Sequence, residues 1–449
     1  MAKNIEKYLN AEKVDISEWK KIASAALKDQ NLEDLNKEID KGLSIKPLYT
    51  SEDEEEDYSY SLRRGLKPNV NNYMPWYICT TIDHNNDSKI LNGRILGELE
   101  RGSNSIEISF FEINTLDKVL NNVDLSIAPV FIRNINYSKE SLSNYINFLK
   151  NNKNKNVLGG FEIDPFASGL WLDEFSANKE INEKINFEEL KILQEEVNAD
   201  FKNINLINFD GSLWNDLGAN TSEEIELLAL SFMKMYENHK NKNEDEFLVN
   251  ITLSANTDFF TSISKIRASR IIFNNIFKHY DLKCSLNITS RSSSNILFQE
   301  DPWVNQLRIT TAALASAIGG SNKIICNNIT HKLGQAPDFI KRLTRNTHII
   351  LQEESRISRV QDPSGGSFYI EKLTNDIAQN AWKNIKIKEN NGGIIPLIES
   401  KDFIESLKNS RNEFKNKILE KKLIKVGENS YKDPDSNPIN VKPFESNNI

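Results

Sequence analysis

Side chains able to do chemistry are sparse in this chain, and their spacing narrows what they can do. There are five histidines, His84, His239, His279, His331 and His348. None has a carboxylate or a second histidine at ligand spacing, so zinc sites of the HExxH kind are absent. His348 reads as a structural histidine rather than a base. Three cysteines, Cys79, Cys284 and Cys326, lie far apart with no CxxC pair. Each falls in an apolar, strand-like run and reads as a small core residue of a reducing, cytoplasmic compartment. No GxSxG elbow and no GxxxxGK[ST] loop occurs, so serine acyl transfer and P-loop phosphoryl transfer lose support. Two stretches remain. Ser290-Arg291-Ser292-Ser293-Ser294-Asn295 directly follows a predicted strand. An arginine amid hydroxyls and backbone N–H groups can hold a phosphate or carboxylate, although the same residues suit a plain polar loop. The second stretch, 342–367, sets Arg342, Arg345, Arg356 and Arg359 against Glu353 and Glu354. Arg345 and Glu353 are too far apart for one-turn contact, so pairing would need a bend or another element. Asp362-Pro363-Ser364-Gly365-Gly366-Ser367 then makes a turn, with Pro fixing φ and Gly permitting positive φ. From its residues alone, the stretch is a charged helix ending in a tight turn.

The elements that must position these residues follow from periodicity. Strand-like runs are predicted at 76–82, 106–111, 128–132, 157–163, 204–208, 248–255, 284–289 and 323–326. Helix-like segments alternate with them. Residues 222–236 place Ile225, Leu228, Phe232 and Met235 on one face, behind a capping box of Thr221 and Glu224. Residues 259–277 are entered through Asp258, an N-cap acceptor. Eight alternating units suggest parallel βα repeats closing into a (β/α)8 barrel, with an open doubly wound sheet as the rival. No GxGxxG follows the first strand, which weakens a dinucleotide-binding version of the rival. In a barrel, the loop carrying Arg291 lies on the ligand-binding face.

The expected layout is a helical arm at 1–50, the barrel at 70–335, a helical extension at 336–431 and a loose tail at 432–449. The whole of the first 45 residues reads as helical, with Trp19, Ile22, Ala23 and Ala26 at helical spacing. The acidic run 52–57 reads as a solvated loop. Later helices are expected near 371–386 and 401–421. The 449 residues are 39% hydrophobic and 27% charged, with net charge −8 and mean hydropathy −0.51. That balance describes a soluble globular protein and disfavours a phosphate-backbone binder, which needs a concentrated basic face. No run approaches a membrane helix, and the N-terminus shows no secretory h-region.

The run 342–367 resembles the signature of the methylmalonyl-CoA mutase family. Arg342, Arg345, Asn346, Thr347, Ile350, Leu351, Glu353, Glu354, Arg359, Asp362, Pro363, Gly365, Gly366 and Ser367 match that pattern, while Leu343 and Thr344 depart from it. Further stretches resemble the family from residue 45 to residue 431. They include Lys46-Pro47-Leu48-Tyr49-Thr50, Pro75-Trp76, Lys265 with Arg267 and Arg270, and Asp301-Pro302 with Asn305 and Arg308. The resemblance implies a (β/α)8 barrel threaded by the substrate's CoA chain. It also implies a radical rearrangement between methylmalonyl-CoA and succinyl-CoA, started by adenosylcobalamin on a flavodoxin-like domain.

The departures fall on the family's reactive positions. Thr81 stands where catalytic chains carry a tyrosine. Ser212 and Leu213 stand where they carry Tyr-His, and leucine cannot donate the hydrogen bond that the histidine gives the thioester carbonyl. Lys323 and Ile325 replace a serine and a histidine, whereas Arg291 is retained. No Asp-x-His-x-x-Gly motif, which supplies the cobalt ligand, occurs anywhere. Kept scaffold with lost chemistry resembles the small (beta) subunit of heterodimeric members of the family. That resemblance implies a large (alpha) subunit partner that binds the adenosylcobalamin, and no cofactor, metal or catalytic residue on this chain. Arg291 is then a residual anion contact. Two other readings remain: a barrel chain borrowing a separate cobalamin protein, and a free-standing acyl-CoA-binding barrel.

Overall fold

The computed structural model describes residues 16–27, 31–40, 42–53, 76–83, 85, 87–109, 115–133, 135–152, 154–175, 186–237, 247–360, 362–436 and 438–444. His84, His239, Pro75, Phe111 and positions 54–57 of the acidic run lie outside them. The N-terminal arm carries a helix, Ile16–Ala26, and then a two-stranded antiparallel hairpin of β1 (Lys37–Asp40) and β2 (Leu43–Ile45). The helical reading of the whole segment misses this hairpin, which reverses through Gly42 at φ +74°. A Gly at positive φ costs no Cβ clash, so the chain can turn there.

Eight parallel strands close a barrel: β3 (Tyr77–Ile82), β4 (Ser105–Ile108), β5 (Val130–Ile132), β6 (Gly159–Ile163), β7 (Ile204–Asp210), β8 (Phe247–Ala255), β9 (Cys284–Ser292) and β10 (Lys323–Ile325). Their order around the barrel is β10-β3-β4-β5-β6-β7-β8-β9. All eight predicted runs are strands, and closure excludes the open sheet. The ends of the runs differ. β9 continues to Ser292, so Arg291 belongs to the strand rather than to the loop expected after it. Its backbone stays extended because β8 and β10 flank it in register through Arg291.

Alternation along the strands sorts the core. Ile106, Ile108, Ile132, Phe161, Ile163, Phe209, Ile251 and Leu253 are fully buried in the main apolar cluster with residues of the surrounding helices. Phe209 meets Phe232 edge-on at 5.9 Å between ring centroids, and Phe232 also packs on Phe273 and Phe277. Full burial of each such side chain contributes roughly 1.5–3 kcal/mol. The helix bearing Phe232 runs Thr221–Tyr236, and its capping box is Asn220 with Glu223 rather than Thr221 with Glu224. The Asn220 side chain accepts from Glu223 N at 2.9 Å, and Glu223 Oε2 accepts from Asn220 N at 3.1 Å. Glu224 is taken elsewhere: it accepts from Lys265 Nζ at 2.7 Å and from the Ser254 hydroxyl at 2.6 Å, fully buried.

After the barrel, helices Asp338–Ile349, Phe368–Asn390, Ile394–Glu399 and Lys401–Leu419 wrap its outside. The last of these seats against the short helix Gly211–Leu217. The described part of the tail, 432–436 and 438–444, makes hydrogen bonds to the rest of the chain at two points. Gln335 N donates to the Lys442 carbonyl at 2.8 Å in an isolated antiparallel bridge, and Ser436 donates to Asp301 at 3.3 Å. Gly334 makes this possible, since a Cβ there would stand 2.3 Å from the Lys442 oxygen. Among the described residues, no helix is long and apolar enough to cross a membrane.

Candidate functional site

The barrel lumen is where a (β/α)8 fold gathers side chains from many strands. Cys79, Phe131 and Ile325, from β3, β5 and β10, form a buried cluster of their own there. Around them the lumen is charged. Lys323 of β10 pairs with Glu162 of β6, and both side chains are almost wholly buried. In the strand order these two stand diametrically opposite, so the pair spans the full width of the barrel. The Lys323 ammonium also lies 3.2 Å from the centre of the Phe131 ring, a cation–π contact. Gly160, which has no side chain, is Phe131's partner in register on β6.

A second strut crosses at another angle. Arg291 of β9 pairs with Glu107 of β4, again buried. Thr81 Oγ1 donates to the other Glu107 oxygen at 3.3 Å. A third pair lies at the C-terminal ends of the strands. Arg133, just past β5, pairs with Asp210 of β7 at 2.8 Å, and its guanidinium reaches the Ser212 hydroxyl at 3.3 Å. Ser212 itself donates to Asp210 Oδ1.

These charges set one another's protonation. Burial alone would raise the Glu107 carboxyl, but Arg291 and Arg133 outweigh it and hold Glu107 down at about 2. Burial likewise opposes the charge of Arg291, and the Glu107 carboxylate more than restores it, raising its pKa. Glu162 is raised by burial, only partly offset by Lys323. Asp210 is lowered, Arg133 and Arg291 outweighing its burial. Burial pushes the Cys79 thiol up to about 12, which keeps it protonated and unreactive at neutral pH.

The residues singled out from sequence thus fall into three groups. Arg291 and Thr81 meet on Glu107, and Ser212 joins the Arg133–Asp210 pair. Leu213 is packed in the main apolar core at 2% exposure. The residues of the charged run lie outside the barrel. Arg345 pairs with Glu98 on the helix Ser88–Glu100, another element as its spacing required. Asp362 pairs with Arg267, which also holds Glu371 at 2.7 Å. Gly365 N donates to the Asp362 carbonyl at 3.0 Å, and Gly366 turns at φ +84°. Ser367 caps the helix Phe368–Asn390, while Asn346 is half-buried and Arg342, Glu353, Glu354, Arg359 and Pro363 are exposed. His348 is buried.

Sequence reasoning missed Glu107, Glu162, Arg133 and Asp210. A signal existed: Ile106-Glu107-Ile108 and Phe161-Glu162-Ile163 each place one carboxylate on the strand face opposite two large apolar residues. Chemically, the lumen holds matched charges joined to each other. Among the described residues, no group of three or more His, Cys, Asp or Glu side chains is placed to hold a metal ion.

Residues 111–449 match the family described as methylmalonyl-CoA mutase. The chain is 24% identical over 383 residues to the methylmalonyl-CoA mutase small subunit of Streptomyces virginiae, covering 82% of this chain and 61% of that protein. It is 24% identical over 408 residues to the probable methylmalonyl-CoA mutase small subunit of Mycobacterium tuberculosis, covering 87% and 65%. It is 31% identical over 186 residues to the methylmalonyl-CoA mutase large subunit of Porphyromonas gingivalis, covering 40% and 26%. The chain therefore spans less than two thirds of the length of the small-subunit relatives it matches.

Proposed function

The chain belongs to the methylmalonyl-CoA mutase family, and we propose that it is the non-catalytic small subunit of a heterodimeric mutase, stabilising a large chain that carries out the methylmalonyl-CoA/succinyl-CoA isomerisation. The observation that carries this reading is the pair of struts across the lumen. An acyl-CoA chain threaded along the barrel axis needs a lumen free of crossing side chains, and Lys323–Glu162 spans it from wall to wall while Arg291–Glu107 cuts a chord across it. Opening it would leave buried charges without partners, at several kcal/mol for each ion.

The positions that would serve the chemistry are also engaged. Thr81 donates to Glu107, Ser212 donates to Asp210, and Leu213 has no donor for a thioester carbonyl. Arg291, the one candidate anion contact, has its anion within the protein. The same side chains do not fit a cobalamin face at the C-terminal end of the barrel, because what stands there is tied into the carboxylate network or packed in the core. In this reading adenosylcobalamin belongs to the large subunit, the pair works in the cytoplasm, and this chain contributes a folded barrel. The residues 70–335 are that barrel and 336–431 its supporting wrap.

The test is co-expression with the large chain of the same genome, followed by mass determination and mutase assay. The expected result is a 1:1 complex whose turnover is lost when the large chain's cobalamin site is removed. The large chain should also survive heating longer in the pair than alone, since a partner that binds only the folded state stabilises it by mass action. Turnover by this chain alone with adenosylcobalamin, or failure to form the complex, would overturn the reading.

A further inference from the structure

Gly93 and Gly97 stand four residues apart in the helix Ser88–Glu100 and so share one of its faces. Glycine inside a helix is destabilising relative to alanine, and two on one face leave space where side chains would stand. That space is part of a cavity of about 270 Å³ between this helix and the helix Asp338–Ile349. A Cβ on Gly93 would meet nothing within 4 Å, and one on Gly97 would meet the Arg101 guanidinium at 3.3 Å. The cavity is several times the ~30 Å³ of one water and falls just short of the ~300–1,000 Å³ of sites for drug-sized ligands, so it suits a small ion or molecule.

The wall carries Arg94, Arg101 and Lys341 against Glu98 and Asp338, and part of this charge is already matched. Glu98 is paired with Arg345, and the buried Lys341 ammonium lies 3.1 Å from the Asp83 carboxylate. The two arginines are not matched. Arg94 donates to the Asp83 carbonyl at 3.2 Å, which orients it and leaves its charge free. Arg101 folds back over Gly97, one turn after Arg94, so the two guanidinium groups converge on the same stretch of the helix. Among the described residues, neither has a carboxylate partner. Asp338 is the unmatched carboxylate of the wall. It stands in the first turn of its helix, whose N-cap, Pro337, has no side chain able to accept from the free N–H groups that offset it. Two unmatched cations thus face one unmatched anion, in a chain whose net charge is −8.

From this geometry we infer a binding site for a phosphoryl group, carried by free phosphate or by a small phosphomonoester, in the cavity of Arg94, Arg101 and Lys341. A guanidinium presents parallel N–H groups to phosphate oxygens, and such charge-assisted bonds are the strong ones. A tetrahedral group offers oxygens in several directions, which suits cations arriving from two helices, whereas a planar carboxylate offers two oxygens in one plane. The two glycines let the group approach the helix closely. The site belongs to the helices around the barrel, and the inference stands apart from the small-subunit reading.

The test is calorimetric titration of the full chain at constant ionic strength with inorganic phosphate, glycerol 3-phosphate and succinate. Arg94→Gln with Arg101→Gln removes the free charges. Gly93→Leu keeps both charges and fills the cavity. Arg356→Gln with Arg359→Gln is the control, since it removes the same charge from exposed positions elsewhere. Melting without ligand checks that each variant is folded. The expected result is one phosphoryl group bound per chain, held more tightly than succinate. Loss of charge-assisted bonds should weaken it about tenfold or more in the arginine variant, with a similar loss on filling the cavity and none in the control. Tighter binding of the ester than of phosphate assigns the group to an organic phosphate, and the reverse order assigns it to the free ion; either supports the inference. No binding of phosphate or ester at millimolar concentration overturns it. Binding that Gly93→Leu leaves intact places the anion on surface charge outside the cavity and overturns it too, as does tighter binding of succinate.

Discussion

At the scale of single residues, two of the buried groups make stability fall in acid in separate ranges, while Asp164, which burial raises to about 7, opposes the first of them by favouring the fold as the pH drops from 7 toward 4. His348 is 2% exposed, and its Nδ1 is buried without a hydrogen-bond partner. Burial lowers its pKa from the ordinary 6.5 to about 4. Between those values the unfolded chain binds a proton that the folded protein refuses, so stability present above pH 6.5 is lost as the pH falls toward 4. The loss is about 3 kcal/mol at most. Glu107, held at about 2, acts in the range below: its stabilisation is present above about pH 4.5 and is lost as the pH falls toward 2. Replacing His348 with Leu should therefore make the change in melting temperature from pH 6.5 to 4.5 more favourable to the fold than in wild type, and leave the decline below pH 4 in place. A variant with the wild-type slope from 6.5 to 4.5 would show that His348 is not the group responsible. Its burial also fits the structural role read from the sequence, since a base must reach a proton to take it.

Among the elements, two glycines separate close approach from plain permissiveness. Gly218 ends the helix Gly211–Leu217 at φ +122°, and a Cβ there would lie 2.1 Å from the Leu407 carbonyl of the helix Lys401–Leu419. Gly218→Ala must move that helix or break the turn, at a cost of about 3 kcal/mol or more. Gly93 lies in the interior of the helix Ser88–Glu100 with nothing within 4 Å of a Cβ, so Gly93→Ala should stabilise by about 0.5–1 kcal/mol. Urea titration of the two variants checks both signs, and equal effects would remove the distinction. Pattern alone does not separate these glycines, because contact with a helix nearly two hundred positions later is invisible along the chain. The same limit explains what was legible. Eight strands were, because short apolar runs alternating with amphipathic helices have few other solutions. Their ends were not, because Arg291-Ser292 and the polar Asn208 and Asp210 break the apolar pattern while the ladder continues. The hairpin at Lys37–Ile45 carries no clean alternation, and Asn220 outcompeted Thr221 as a cap only because Glu224 is needed by Lys265 and Ser254. Of the lumen network, Arg291, Thr81 and Ser212 could be picked out from residue type or resemblance. Arg291 meets Glu107 only because the barrel closes, and Arg133 meets Asp210 across an intervening strand, whereas Thr81 pairs with Glu107 in register and Asp210 caps the helix that begins beside Ser212.

For the whole molecule, closure turns paired charges into struts, and their worth can be measured. Lys323 and Glu162 sit on opposite walls, so each secures a strand that the other does not touch through the ladder. Removing one partner leaves the other charge buried and uncompensated, which typically costs 3–5 kcal/mol, whereas exchanging both for apolar groups of similar volume is often neutral. Lys323→Met alone should therefore lower stability by about 3–5 kcal/mol, and Lys323→Met with Glu162→Leu should recover most of it. If the double variant is instead as unstable as the two single losses added, the ion pair itself, not filling of the lumen, holds the barrel together. The same double variant bears on function. A barrel that serves its partner only as a folded body needs its lumen filled, and the identity of the filling is immaterial to turnover in the large chain. The complex carrying the double variant should then keep the mutase activity of the wild-type pair. A selective loss of turnover from a complex that still forms with unchanged mass and melting temperature would mean that charges inside this barrel are felt at the partner's reacting centre, and the scaffold reading would have to give way to an electrostatic one.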